Sequence, residues 1–254
     1  MPIALTRSVP PSIDRCELTH LAHEPIDHAR AVEQHGAYER ALLRLGCRVE
    51  PLPELPELPD SVFVEDAAVV LDHVAIIARP GAESRRAEVP SVVAALRPYR
   101  PLAFIEPPAT LDGGDVLVEG RRVYVGASGR TNAEAARQLA ALLNPYDYAV
   151  IAVPVRGCLH LKSAVTLALA ETLLLNPDFV DPGIFDGVRL IHVDPSEPMA
   201  ANVLRVGGVT LCASAYPRTR ARLEAHGIAT EALDATEVAK AEGALTCCSL
   251  IFTT

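Results

Sequence analysis

A polar motif returns at a nearly fixed interval along this chain, each time at the same place in the same local pattern. The motifs are Glu65-Asp66, Asp112, His160, Asn202 and Cys247, and counted from Asp66 they stand 46, 48, 42 and 45 residues apart. A period of this size is the mark of a fold built by repeating one supersecondary unit. Each of the first four motifs is followed by two short β-like runs with a turn between them. These are AAVVL and VAIIAR joined at Asp72-His73, DVLVE and RVYVG joined at Gly120-Arg121, AVTLAL and TLLLN, and NVLRV and VTLCA joined at Gly207-Gly208. Tight Gly or Asp joints between β-branched runs predict hairpins.

Helix signals follow most hairpins. Ser84 is placed to cap a segment through Leu96 that Pro98 stops, and Thr131 with Glu134 forms a capping box before AARQLAALL. Pro217 opens PRTRARLEAH with Gly227 at the C′ position, and an earlier helix runs from about Ile26 to Leu45 with Gly46 after it. The third module has only DFVDPGIFDG, a loop or short turn of helix. One more apolar strand ends each unit: CRVEPL, PLAFIE, YAVIAVPV, VRLIHV and IATEAL. The last motif leads into CSLIF, which has no second hairpin strand after it, and the N-terminal PIALTR supplies one. The expectation is a single domain over 1–254 with an α/β fold, a pseudo-fivefold ring of ββαβ units like a propeller. The alternative is an open α/β sheet with coincidental spacing.

Composition excludes several classes of function. Half the residues are apolar and 22% are charged, enough for a buried core. With 23 basic and 32 acidic residues the net charge is −9, which argues against a nucleic-acid or polyanion binder. Trp is absent and aromatics are 4%, which disfavours stacking on nucleobases. No apolar run reaches membrane-spanning length and no secretory leader is visible, so a cytoplasmic protein is expected. Cysteines 16, 47, 158, 212, 247 and 248 have no CxxC spacing, which disfavours both a disulfide framework and a thiolate zinc site.

In a ring the motifs converge on the axis, which would then gather Asp60, Glu65, Asp66, Asp112, Asp115, His160 and Cys247. Several carboxylates in one pocket repel one another unless a cation binds. These side chains suit a transition metal poorly, whereas a guanidinium is planar and pairs bidentately with carboxylates. A cysteine supplies a nucleophile once its thiolate is stabilised, which a bound cation itself achieves, and a histidine supplies acid–base chemistry near neutral pH. Together they suggest attack of sulfur on a guanidinium carbon. Taken singly, each residue has a plainer reading. Cys247 and Cys248 suit a core, His160 suits a satisfied buried histidine, and Glu65-Asp66 and the 112–115 run suit turns. Arg85-Arg86 suits a solvated helix start, although cations there oppose the helix dipole. The case rests on joint placement.

The segments LPDSVFVEDAAVV, RPGAESRRAE, TLDGGDVLVEG, GRTN, LHLKS, MAANVL and EGALTCCSLIF together resemble the dimethylarginine dimethylaminohydrolases. That family belongs to the guanidine-modifying pentein superfamily, whose fold is a five-module α/β propeller. The resemblance implies hydrolysis of Nω-methylated arginines to citrulline and an alkylamine through a cysteine thiouronium intermediate. It implies Cys247 as nucleophile, His160 as acid and base, and Asp112 as the residue that orients His160, with Cys248 on the other face of the strand. Asp60, Glu65 and Asp66 would hold the guanidinium beside Phe63. Arg85 and Arg130 would bind the α-carboxylate, and carbonyls near Leu18 and Ala241 would receive the α-amino group. Glu242 stands where the family commonly has Asp. The stretch before Ile26, with His20 and His23, would form a lid over the ligand.

No metal or organic cofactor is implied, although zinc could occupy a cysteine–histidine pair and inhibit. The partner implied is a small molecule, with no nucleic acid or membrane, and the protein is a monomer or homodimer. Arginine deiminase shares the chemistry but typically carries an inserted helical domain for which this chain has no room. Agmatine deiminase would leave Arg85 and Arg130 without a purpose, and an amidinotransferase would use an amine in place of water. A non-catalytic binding protein of the same fold would have no need of Cys247, His160 and Asp112 together.

Overall fold

The computed structural model describes residues 1–254, and its chain order matches the repeat. Strand β1 (Pro2–Thr6), helix α1 (His28–Arg44) and strand β2 (Arg48–Pro51) come first. The second module has β3 (Ala68–Val70), β4 (Ala75–Ile77), α2 (Val89–Leu96) and β5 (Leu102–Phe104). The third has β6 (Val116–Glu119), β7 (Arg122–Ala127), α3 (Ala133–Leu143) and β8 (Ala149–Pro154). A one-turn helix α4 (Leu161–Ala164) leads into β9 (Val165–Leu169), β10 (Thr172–Leu175) and β11 (Arg189–His192). The fifth module has β12 (Leu204–Val206), β13 (Val209–Ala213), α5 (Pro217–Ala225) and β14 (Thr230–Leu233), followed by α6 (Thr236–Lys240) and β15 (Leu250–Thr253).

These strands form five three-stranded sheets. In each, one pair is antiparallel and the third strand adds in parallel to the middle one, and in four of them the antiparallel pair is a hairpin, as in β3-β4-β5. The fifth sheet is β15-β1-β2, with Leu5 opposite Leu250 and Pro2 opposite Thr253. The C-terminal strand thus completes the N-terminal module and closes the ring. In the fourth module a single 3₁₀ turn, Pro182–Ile184, stands in place of the helix.

The middle strands explain why the apolar runs show no polar alternation. A strand sends successive side chains to opposite faces. Leu173 and Leu175 of β10 enter the apolar cluster shared with the third module, while Leu174 enters the one shared with the fifth. Ile3 and Leu5 of β1 likewise face the second module, and Ala4 faces the fifth. Both faces of each such strand are therefore buried, which demands a continuous apolar run. The five clusters are the five seams between neighbouring modules.

Three local expectations are corrected. Ser84 caps nothing: its hydroxyl bonds the Glu17 carboxylate, and the segment begins as a 3₁₀ turn, Glu83–Glu88. The cap of α3 is Asn132, which accepts from the Ala135 amide, because Thr131 Oγ1 is engaged by the Asp112 amide and Glu134 by Arg137. Cys247 and Cys248 lie in the 3₁₀ turn Thr246–Cys248 ahead of β15, so the turn and not strand alternation separates them. Cys248 packs into the seam between the first and fifth modules.

Leu5 and Leu174 lie in different seams and are at most 1% exposed. Leu5→Ala and Leu174→Ala should each cost about 2–5 kcal/mol. If the closed ring unfolds as one body, urea denaturation followed by circular dichroism will show a single, earlier transition in both variants. A second transition in either would mean that the modules melt separately.

Candidate active site

The polar motifs occupy the tight turns that enter the first strand of each module, and these turns meet. His160 stands at the N-cap of α4 and is buried. Its Nε2 lies 3.0 Å from Asp112 Oδ2, and its Nδ1 lies 3.9 Å from Asp66 Oδ1. Asp112, fully buried, is itself fixed by the Gly81 amide at 2.8 Å. Asp115 accepts from the Leu161 amide and the Ser128 hydroxyl and so pins the turn that carries His160. The glycines between Asp112 and Asp115 are there for proximity. A Cβ on Gly113 would sit 2.0 Å from the Glu65 carbonyl oxygen, and one on Gly114 would sit 2.7 Å from His160 Nδ1. The Gly114 amide also donates to Asp66 Oδ1 at 2.9 Å.

Electrostatics follow from this crowding. Burial alone would lower the His160 pKa, but Asp66, Asp115 and Asp112 outweigh it and raise the value to about 9. Burial works against ionisation of Asp66, yet His160 and Arg85 bring its pKa down to about 2. Cys247 is only partly covered by protein, and burial together with Glu65 and Asp66 pushes its thiol well above the ordinary value. These neighbours favour the thiol over the thiolate.

Glu65 has two partners within the protein. Its carboxylate is held by Lys162 Nζ at 2.6 Å and by the Thr246 hydroxyl at 2.7 Å, and it does not line the cavity in front of Cys247. Asn202 completes this bracket by bonding the Thr246 amide, its hydroxyl and the Lys162 carbonyl. Through Lys162 and Thr246, Glu65 ties the turn of the nucleophile to the turn of His160.

The cavity is lined by Cys247, His160, Asp66, Asp60, Phe63 and Arg85, with Arg130, Ala241 and Glu242 at its other side. Arg85 is 4% exposed and bridges Asp66 at 2.5 Å and Glu88 at 3.0 Å, while its Nη2 also donates to the Asp60 and Phe63 carbonyls. One Nη1 N–H remains for a ligand. Arg130 donates from Nη2 to the Thr19 hydroxyl, and Asp60 accepts from the Glu17 amide. Leu18 is half-buried between these two contacts but is not among the residues lining the cavity.

The family model described as N,N dimethylarginine dimethylhydrolase, eukaryotic, matches residues 14–175. The N(G),N(G)-dimethylarginine dimethylaminohydrolase of Streptomyces coelicolor is 42% identical over 97% of this chain and 95% of its own length. The enzyme of the same name from Pseudomonas aeruginosa is 36% identical over 94% of both. The chain belongs to the dimethylarginine dimethylaminohydrolase family. A crystal structure of the P. aeruginosa enzyme, a cysteine-to-serine mutant complexed with citrulline, superposes with a TM-score of 0.93, covers 98% of both chains and is 35% identical. The five-module ring of this chain is accordingly the pentein propeller.

Sequence reasoning missed Lys162, Thr246, Glu17 and Leu159 as supports, and it placed Asn202 among the five motifs without a role. Lys162 had a usable signal, since a buried Glu65 demands a cation and LHLKS carries one beside His160. Thr246, Glu17 and Leu159 are hydroxyl, lid and apolar positions that carry no signature in one sequence.

Two outcomes test this geometry. Gly114→Ala should leave the protein folded yet inactive, because the new methyl meets His160 and Asp66; unchanged activity would show that the turn has slack. The raised His160 pKa also predicts a pH dependence. Its contribution to stability is full below 6.5 and is lost as pH rises through about 9. The stability gap between the parent and His160→Asn, measured by urea titration, should shrink across that window. A constant gap would mean that His160 gains no proton affinity on folding.

Proposed function

We infer that this protein hydrolyses asymmetric dimethylarginine and monomethylarginine to citrulline, releasing dimethylamine or methylamine. The observation that carries the reading is one cavity lined by a cysteine, a histidine paired with a buried aspartate, a carboxylate for a cation and two arginines. Solved relatives of this family hold citrulline or a methylthiocitrulline adduct.

Asp66 receives the guanidinium at the reacting end, beside His160. Arg130 and the free Nη1 N–H of Arg85 take the α-carboxylate. Asp60 lies within charge range of both arginines and is tied to the lid, so it serves the amino-acid end together with the carbonyls near Leu18 and Ala241. Glu65, held by Lys162 and the Thr246 hydroxyl, adds negative charge beside the sulfur at the same end.

The chemistry begins with a thiol that the surrounding carboxylates keep protonated. A bound guanidinium brings positive charge next to the sulfur and reverses that bias, so the thiol releases its proton to water as substrate settles. Cys247 Sγ then attacks the guanidinium carbon. The imidazolium of His160 gives its proton to the substituted nitrogen, the C–N bond breaks, and the amine leaves. The neutral imidazole takes a proton from water, which adds to the thiouronium carbon. Collapse of that adduct expels the Cys247 sulfur, the hydroxyl proton passes through water to the departing thiolate, and the neutral ureido product and the Cys247 thiol remain. Asp112 holds the ring in place throughout. No step calls for a metal or cofactor. A free amino-acid substrate and six unpaired cysteines suit a cytoplasmic enzyme.

The test is incubation with asymmetric dimethylarginine, arginine and agmatine separately, measuring ureido product and released amine. Citrulline and dimethylamine from the methylated substrate, abolished by Cys247→Ser, are expected. Arg130→Ala should raise KM by about tenfold or more through loss of a charged hydrogen bond. Ammonia from arginine or agmatine instead would transfer the protein to a sister activity.

A further inference from the structure

Residues 16–25 form a segment without helix or strand, and from Thr19 to Pro25 every residue is exposed. Such a segment has little apolar burial to hold it, yet Glu17 lines the cavity and His20, Leu21 and Glu24 line the cleft beside it. Its attachments are few and specific. Asp14 ties its far end through the Ile26 amide at 2.8 Å, and Glu17 is bound by Asp60 and by Ser84 Oγ at 2.7 Å. In its middle, one carboxylate gathers three consecutive amides: Glu242 accepts from Thr19 N at 3.1 Å, His20 N at 2.5 Å and Leu21 N at 2.6 Å. Three consecutive N–H groups converging on one anion form a nest, the backbone's natural anion cradle.

Glu242 also holds an unusual backbone conformation, with φ of +56° in the left-handed region that favours glycine. A non-glycine residue there is a liability unless its side chain is needed. The residue stands in the loop that carries Ala241 and Gly243 along the cavity wall. Glu242, Gly243 and Leu159 line both the cavity and a neighbouring cleft of about 480 Å³, into which the lid residues His20 and Leu21 also project.

We propose that Glu242 is the latch of the lid. It is a positioning residue that holds Thr19–Leu21 closed over Cys247. In doing so it brings Thr19 against Arg130 and Glu17 against Asp60, and it sets the amino-acid end of the site. With the latch released, the lid swings off the wall shared with the cleft, and the cleft becomes the path for ligand entry and product exit.

The inference rests on the dimethylarginine reading for its kinetic arm alone, because the latch itself is read without substrate. Two variants separate latch from scaffold. Glu242→Gly relieves the left-handed strain while deleting the carboxylate, so its melting temperature should hold or rise. Glu242→Gln keeps the length but loses the charge. In ligand-free protein, hydrogen exchange at the Thr19, His20 and Leu21 amides should quicken by about tenfold or more in Glu242→Gly and by less in Glu242→Gln. Iodoacetamide should alkylate Cys247 faster in the same order. With asymmetric dimethylarginine, KM should rise by about tenfold while kcat falls less, since the chemical groups are untouched. Unchanged exchange at those amides in Glu242→Gly overturns the proposal, whatever happens to KM. A raised KM with unchanged exchange would assign Glu242 to direct substrate contact. Should the parent protein fail to turn over dimethylarginine, the functional reading falls, and the exchange measurement still decides the latch. Should Glu242→Gly fail to fold, the exchange of Glu242→Gln decides it.

Discussion

A surplus of buried negative charge governs this structure. Asp60, Glu65, Asp66, Glu88, Asp112 and Asp115 are all less than a tenth exposed, and Arg85 and His160 link several of them. Arg85 answers Asp66 and Glu88, and Lys162 answers Glu65. What is left falls on His160, whose pKa rises to about 9 in response, and on Cys247, which is forced to remain a thiol. Buried carboxylates without cations are costly, and a protein keeps such a deficit where a ligand will supply the missing charge. A guanidinium substrate is the counterion that the folded chain lacks.

Only a closed ring gives so many separate turns access to one another. Each module is too small to bury both faces of its own sheet, and the seams between modules bury the remainder. That is why the middle strands are apolar on both faces and why β15 must return to β1. With the ring closed, the turn preceding each hairpin faces its counterparts, and the 112–115 run can pass so close to Glu65 and His160 that only glycine fits between its aspartates. Packing of the seams and precision of the site are therefore one requirement.

The repeat made the ring legible before any coordinates, because hairpin turns and helix stops recur at regular spacing. Closure by PIALTR was legible too, from the missing partner of CSLIF. The residues that touch ligand in the proposed reaction were legible because cysteine, histidine and aspartate carry chemistry that few structural positions need. The helix caps were not, since Ser84 and Thr131 are good caps locally and were drawn instead to Glu17 and to the Asp112 amide by tertiary contacts. That Glu65 and Asp66 take different partners is hidden in the sequence for a related reason. Adjacent acids look alike in sequence, but neighbours on a 3₁₀ turn point in different directions, and one met Lys162 while the other met Arg85 and His160.

The charge deficit also couples recognition to reactivity. A thiol held protonated is a poor nucleophile and a poor target for oxidants, since both reactions need the thiolate. In the proposed reaction the field of Glu65 and Asp66, which suppresses ionisation of Cys247, also attracts the guanidinium, so the cation that binds is the cation that frees the sulfur. A neutral ligand of the same shape would fill the cavity and leave the thiol unchanged. Selectivity for a charged guanidinium then arises from two uses of one field, first in binding and again in activation. A lid closed over the site, as proposed for Thr19–Leu21, would strengthen both by keeping water away from the charges that act.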